Sequence, residues 1–167
     1  MVNKLYTLGY ESAAIEDFIA TLKIADVERV IDVREYPVSR RKGFSKNILQ
    51  ALLQANNIDY VHLKGLGDPK EGRDAARAGD HKKFVRIFTE HMKTAQAVAD
   101  LKTAIDLAGS SVSCLLCYER EPNGCHRTIV AKAIAADTGQ PVHSIGIPKG
   151  IASREQFQTV YPGTDYA

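Results

Sequence analysis

The chain has 167 residues, 44% apolar and 25% charged, near the globular average and the size of one domain, which excludes a disordered chain, a coiled coil and a collagen. Twenty-two Lys and Arg stand against 20 Asp and Glu, a net charge of +2, too balanced for a histone-like binder, so any basic footprint must be local. Three cysteines cannot close a disulfide framework, residues 1–7 carry no signal-peptide core, and no apolar run approaches the ~18 residues of a membrane span, so a cytoplasmic protein without a membrane partner is expected.

Short β-rich runs alternate with helical stretches. Residues 4–8 alternate apolar and polar and turn at Gly9, which predicts a first strand. Ile15, Phe18, Ile19 and Leu22 follow at helical spacing. Residues 27–33, dense in β-branched side chains, predict a second strand. Ile48, Leu49, Leu52 and Leu53 form a helical stripe with Ser45 as N-cap and Asn56-Asn57 as stop. Residues 60–63 predict a short third strand. Residues 64–83 are polar and contain glycines, too long for an ordinary connection, hence a lid or a partly helical segment. An apolar stripe from Phe84 through Phe88, Met92, Ala95, Val98, Leu101 and Ile105 to Ala108 predicts one long helix, or two joined near Thr94, ending at Gly109. Residues 112–117 are nearly all apolar, as in a strand covered on both faces. Ile129, Val130, Ala133 and Ile134 mark another helix, residues 142–145 a last strand, and residues 153–161 a further helical stretch.

This β-α-β-α-β-α-β-α-β order predicts one α/β domain over residues 1–167, with a C-terminal tail at 147–167. Its sheet is expected to be mostly parallel, of about five strands, with helices on both faces. Ligands of such sheets bind outside the carboxyl ends of the strands. The segments leaving those ends, residues 7–11, 34–41, 62–67 and 117–127, are therefore expected to converge on one cleft.

Asp32 and Arg34 end the second strand, and residues 34–46 carry five cations against one anion. Guanidinium groups, with Ser39 as a neutral donor, suit phosphate or carboxylate. Arg34, Ser39, Arg40 and Arg127 are expected to hold an anion, with Thr7, Gly9, Tyr10 and Asp32 on the same rim. The alternative is that Asp32 and Arg34 pair structurally and residues 40–42 form a solvated loop.

Residues 117–127 run from a buried strand through a polar loop into a helix beginning near Cys125. Amides at a helix N-terminus attract anions, yet His126 and Arg127 occupy the first turn, where cations are unfavourable. A bound anion, or Glu119 and Glu121 folding back, would remove that conflict. Cys125 is placed for a thiolate and Glu119 for acid–base work. With Cys117, His126 and His62 from the third strand they are the expected catalytic groups. Each has a structural reading, because cysteines are commonly buried and strand histidines commonly hydrogen-bonded. Cys114 and Cys117 face opposite sides of their strand, and Cys117, Cys125, His126 and His62 lack a recognised zinc spacing, so neither metal nor cofactor is expected. There is no G-x-x-x-x-G-K-[ST] motif, and Gly65, Gly67 and Gly72 lack the dinucleotide-binding spacing.

The residues point to an enzyme on an anionic, phosphate-bearing substrate, a nucleotide or nucleic-acid end. It would be a hydrolase with Glu119 activating water or a thiol-dependent transferase with Cys125 as nucleophile. The rivals are a non-catalytic nucleotide or nucleic-acid binding module and a cysteine-based sulfur-transfer or redox enzyme. Oligomeric state is not legible.

Thr7-Leu-Gly-Tyr10, Asp32-Val-Arg-Glu-Tyr-Pro-Val-Ser-Arg40, Tyr60-Val-His62 with Leu66-Gly67, and above all Cys117-x-Glu119-x-x-Pro122-x-x-Cys125-His126-Arg127 resemble the family called domain of unknown function 488. The resemblance runs over roughly residues 4–146, with Leu8 and Tyr10 where Ile and His are common. It implies a Rossmann-like, three-layer α/β domain of cytoplasmic proteins, and by the family's name it assigns no reaction. Ile31-Asp-Val-Arg34 is also similar to a stretch of the rhodaneses, whose nucleophile loop is missing here.

Overall fold

The computed structural model describes residues 3–163. Five strands, β1 (Leu5–Gly9), β2 (Arg29–Asp32), β3 (Asp59–His62), β4 (Ser113–Cys117) and β5 (Val142–Ser144), form one all-parallel sheet in the order β3-β2-β4-β1-β5. The helices are α1 (Ile15–Ile24), α2 (Lys46–Ala55), α3 (Lys70–Arg77), α4 (His81–His91), α5 (Ala95–Ser110), α6 (His126–Thr138) and α7 (Ile151–Arg154), with a 3-10 turn at Lys64–Leu66. The expected Rossmann-like α/β sandwich is the fold found.

The apolar spacing of each helix decides which side of the sheet it covers. Phe18, Ile19 and Leu22 of α1 and Leu49 and Leu53 of α2 pack with Val30 and Leu116 on one face. Phe84 and Phe88 of α4, Ala104 of α5 and Val130 and Ile134 of α6 pack with Ile31 and Leu115 on the other. Chain moves toward the β3 edge thus carry their helices on one face and moves toward the β5 edge on the opposite face, as right-handed crossovers require. The strands on either side of β4 send their helices to one face while β4 sends α6 to the other. That reversal opens the crevice in which α/β sheets bind ligands, at the carboxyl end of β4. All five residues of β4 are buried, and Cys114 and Cys117 lie in the cores of opposite faces.

The structure resolves the two alternatives left open by the sequence. Residues 64–83 are largely helical. In α3 only Gly72 and Ala75 are buried, so it has no apolar stripe to betray it. The stripe from Phe84 to Ala108 divides into α4 and α5, with Thr94 as the N-cap of α5 accepting the Ala97 amide at 3.3 Å. Ser45 precedes α2 without capping it. Its hydroxyl accepts the Ser39 amide (3.0 Å) and donates to the Ser39 carbonyl (3.1 Å), stapling the loop from β2. The helix expected over 153–161 is confined to α7, seated by Asp17, whose carboxylate accepts the amides of Gly150 (2.9 Å) and Ala152 (3.0 Å). The end of the expected tail, 164–167, lies outside the described residues. Among those described, no helix is long and apolar enough to cross a membrane.

Candidate functional site

Four loops meet at the carboxyl edge, around a cleft of about 1020 Å³. From β2, Arg34 turns back onto Asp32. Its Nε donates to Oδ1 at 2.9 Å and Nη2 to Oδ2 at 2.7 Å, while Nη1 reaches the Phe44 carbonyl (2.7 Å) and the Tyr10 hydroxyl (3.3 Å). Tyr60 donates to Asp32 Oδ2 at 2.5 Å. Arg34 therefore borders the cleft with its donors committed to the protein and its charge opposed by a buried carboxylate. Tyr10, stacked on Phe44 with ring centres 4.3 Å apart and meeting Tyr118 edge-on, forms the adjoining wall. Ser39, Arg40, Arg41 and Lys42 continue the rim. Arg40, Arg41 and Lys42 are exposed.

From β1, the chain runs tightly against the segment leaving β4. Tyr10 and Glu11 donate their amides to the carbonyls of Cys117 (3.2 Å) and Tyr118 (2.9 Å). A Cβ on Gly9 would overlap the Glu119 carbonyl, so glycine is required by close approach. Thr7 lies beneath, its hydroxyl 2.8 Å from Ser144 Oγ and accepting from Arg127 Nε at 3.3 Å.

The fourth loop joins β4 to α6. Cys125 is the N-cap residue of α6, its amide bonded to the Pro122 carbonyl at 3.2 Å. Its sulfur is 2.7 Å from Cys117 Sγ and 3.8 Å from His126 Nδ1. Glu119 Oε2 lies 3.5 Å from both sulfurs, and Glu119 lines the cleft together with Cys117 and His126. Arg127 is fully buried and points inward. Nη1 donates to Cys117 Sγ at 3.1 Å and to the Glu119 carbonyl, and Nη2 donates to the Arg120 carbonyl at 3.2 Å. The conflict of cations in the first turn of α6 is thus met by thiol sulfur and carbonyl oxygen. His126 Nε2 sits 2.7 Å from the Val33 carbonyl.

Burial would raise the Cys125 thiol, but hydrogen bonds from Cys117 and His126 and the charges of His126 and Arg127 outweigh it and hold the thiol well below its ordinary range. Burial and the Cys125 thiolate push Cys117 well above. His126 would be lowered by burial, yet its bond to Cys125 pushes it up to about 9. Burial and the nearby Cys125 charge also raise the Glu119 carboxyl. The pair is asymmetric in direction: its surroundings favour the thiolate at Cys125 and the thiol at Cys117. Cys114 stands six residues before Arg120, the spacing of a cysteine phosphatase loop, but it is buried inside the sheet and pushed up to about 12 by burial, so no such loop is built on it.

Of the remaining expected residues, His62 bonds the Arg34 carbonyl through Nε2 at 2.7 Å, with Nδ1 3.5 Å from Lys46 Nζ, and is not brought to the thiols. Cys117, Glu119 and Cys125 place three donor atoms within 4.8 Å of one another, and a set of two sulfurs and one oxygen suits a soft or borderline cation such as Zn²⁺ rather than Mg²⁺.

A family model described as Domain of unknown function DUF488 matches residues 14–134. The chain belongs to this family. No curated protein and no solved structure matches the chain. The DUF488 span contains β2, β3, β4, both sulfurs and Arg127, whereas Thr7, Gly9 and Tyr10 precede it.

This DUF488 cleft also contains residues that sequence reasoning passed over. Asp68, just beyond Gly67, is buried and lines the cleft, and among the described residues its Oδ1 has no hydrogen-bond partner. Arg73 and Arg77 reach the cleft from α3. Their spacing of four, which puts both on one helix face, is the signal that could have found them. Burial, partly opposed by the charge of His126, pushes Asp68 up to about 7. A carboxyl raised in the folded state favours folding while protonated. Its contribution is complete below the ordinary carboxyl range and is lost as pH rises through about 7. Asp68→Asn is therefore expected to gain about 1–3 kcal/mol on the wild type between about pH 5 and pH 8. Melting temperatures at each pH check it, and parallel profiles would mean an ordinary carboxyl.

Proposed function

We propose that this chain is an enzyme whose cleft binds an anionic, phosphate-bearing small molecule or nucleic-acid end, and whose nucleophile is the Cys125 thiolate. The observation carrying this reading is the seat of Cys125, at the N-cap of α6 beside His126 and in contact with Cys117 and Glu119, which line the arginine-rimmed cleft. A helix N-terminus and an imidazolium both stabilise a thiolate, and a thiolate is the reactive form. Glu119, held up in pKa beside both sulfurs, is suited to exchange a proton with the reacting groups. Arg40, Arg41 and Lys42 with Arg73 and Arg77 form the cation set that meets the ligand, while Arg34 and Arg127 brace the walls. A volume of about 1020 Å³ suits a nucleotide-sized ligand. The reading requires the reducing surroundings of a cytoplasmic location.

Iodoacetamide alkylation separates this enzyme from a passive binding module. Cys125 is expected to be carboxamidomethylated readily at about pH 6, where an ordinary thiol with a pKa of about 8.5 is protonated. The labelling is absent in Cys125→Ser. Inorganic pyrophosphate slows it, and added salt removes that protection. A rate that climbs only through about pH 8.5 would overturn the assignment. The hydrolytic alternative, with Glu119 activating water, is favoured by that carboxyl's raised pKa. It predicts that Cys125→Ser retains turnover while Glu119→Gln loses it.

A further inference from the structure

A solitary cysteine nucleophile suffices for acyl or phosphoryl transfer, and a second thiol in contact with it, beyond its hydrogen bond to the thiolate, takes no covalent part in either reaction. Here Cys117 Sγ lies 2.7 Å from Cys125 Sγ, both residues are buried, and the Glu119 carboxylate is 3.5 Å from each sulfur. A neighbouring thiol resolves a covalent intermediate on Cys125 by attack at the Cys125 sulfur when that sulfur carries a leaving group, and the case that also leaves anionic groups for the rim cations to hold is a second sulfur in a mixed disulfide. From this juxtaposition of two thiols and a carboxylate under a cation-rimmed cleft we infer that the substrate is an anionic compound with an electrophilic sulfur, an organic disulfide bearing phosphate or carboxylate groups, and that the reaction is thiol–disulfide exchange. This inference rests on the assignment of Cys125 as nucleophile and names the substrate class of that site.

The steps balance. Cys125 thiolate attacks one sulfur of the substrate R–S–S–R′, the S–S bond breaks, and R′–S⁻ leaves with the bonding pair. Cys125 then holds R in a mixed disulfide. The Cys117 thiol passes its proton to Glu119 Oε2, and its sulfur attacks Cys125 Sγ and expels R–S⁻. The chain is left with a Cys117–Cys125 disulfide, two electrons having passed to the substrate, now two thiols. A dithiol reductant returns the pair to the starting state. Arg127, donating to Cys117 Sγ at 3.1 Å, stabilises the negative charge that Cys117 acquires on losing its proton. The rim cations select a substrate whose groups R and R′ are anionic.

The full chain treated with dithiobis(nitrobenzoate), an aryl disulfide carrying two carboxylates, tests this. The wild type is expected to release two thionitrobenzoates per chain from the pair and retain none, ending as the Cys117–Cys125 disulfide by peptide mass mapping. Cys117→Ser releases one and keeps the other on Cys125. The charged reagent reacts about tenfold faster at low than at high salt, whereas neutral dithiodipyridine shows no such change. A wild type that releases one thionitrobenzoate and retains the adduct, with Cys125 still alkylated readily by iodoacetamide, overturns the exchange and leaves the nucleophile standing. Failure of Cys125 with both reagents overturns both. A purified chain holding one equivalent of zinc on these thiols also overturns the exchange.

Discussion

Arg127→Met is expected to lower the stability of the chain by about 3–5 kcal/mol, the range seen when a buried charged network loses one partner. Arg127 is the largest of the fully buried side chains. Its guanidinium serves Thr7, Cys117 and the carbonyls of Glu119 and Arg120 together. Methionine fills part of the volume but donates nothing. Two part-buried carbonyls then lose their donor, at up to about 1–3 kcal/mol each. Lysine cannot replace the planar fork, because its single ammonium is a point charge on a flexible stem, so Arg127→Lys recovers less than half of the loss. Urea denaturation reads both variants as a lower midpoint at unchanged slope. A loss below about 1 kcal/mol would mean that the loop from β4 finds other donors. The same variant bears on Cys125. Without Arg127 the thiolate loses a cation from its surroundings and the loop its anchor, so alkylation of Cys125 shifts to higher pH.

The fold was legible because the strands and their covering helices obey simple periods. The second strand is read from its β-branched residues and the fourth from a run that is nearly all apolar, and both lie where expected to within two residues. α3 was not legible: its stripe consists of a glycine and an alanine. The cleft followed from topology alone, since parallel order sends four loops to one edge. What sequence could not supply was the direction of individual cations. A count of charges between residues 34 and 46 treats Arg34 and Arg40 alike, yet one lies under Phe44 against Asp32 and the other faces solvent. Arg127 follows the same rule, since its place in the first turn of α6 does not disclose that it points beneath the loop. Nor does the spacing of eight between Cys117 and Cys125 disclose contact. That contact arises because the loop doubles back around Gly124, whose φ of +95° is in the left-handed region. Asp68 escaped because its buried state depends on α3, the element that could not be read.

Asp32→Ala is the second substitution with a large expected effect, again about 3–5 kcal/mol, because it strands a buried charge. Both carboxylate oxygens are engaged. Oδ1 accepts from the Arg34 amide (3.1 Å) and Nε (2.9 Å), and Oδ2 accepts from Arg34 Nη2 (2.7 Å) and Tyr60 (2.5 Å). Removing them leaves the Arg34 guanidinium, 6% exposed, without its counter-ion and the Tyr60 hydroxyl without its acceptor. Replacing both members of a buried pair with apolar residues of similar volume is often close to neutral, so Asp32→Leu with Arg34→Met is expected to recover most of the stability lost in Asp32→Ala. A double-mutant cycle built on Asp32→Leu and Arg34→Met then returns a favourable coupling of at least about 3 kcal/mol, because either single change strands its partner and the double change does not. The double variant also decides what Arg34 is for. If Arg34 braces the cleft wall through Phe44 and Tyr10, the refolded double variant still shows protection of Cys125 by pyrophosphate. If Arg34 grips the ligand, stability returns and protection does not. With its donors already spent on Asp32, Phe44 and Tyr10, Arg34 has little left to offer an anion, and retained protection is the expected result.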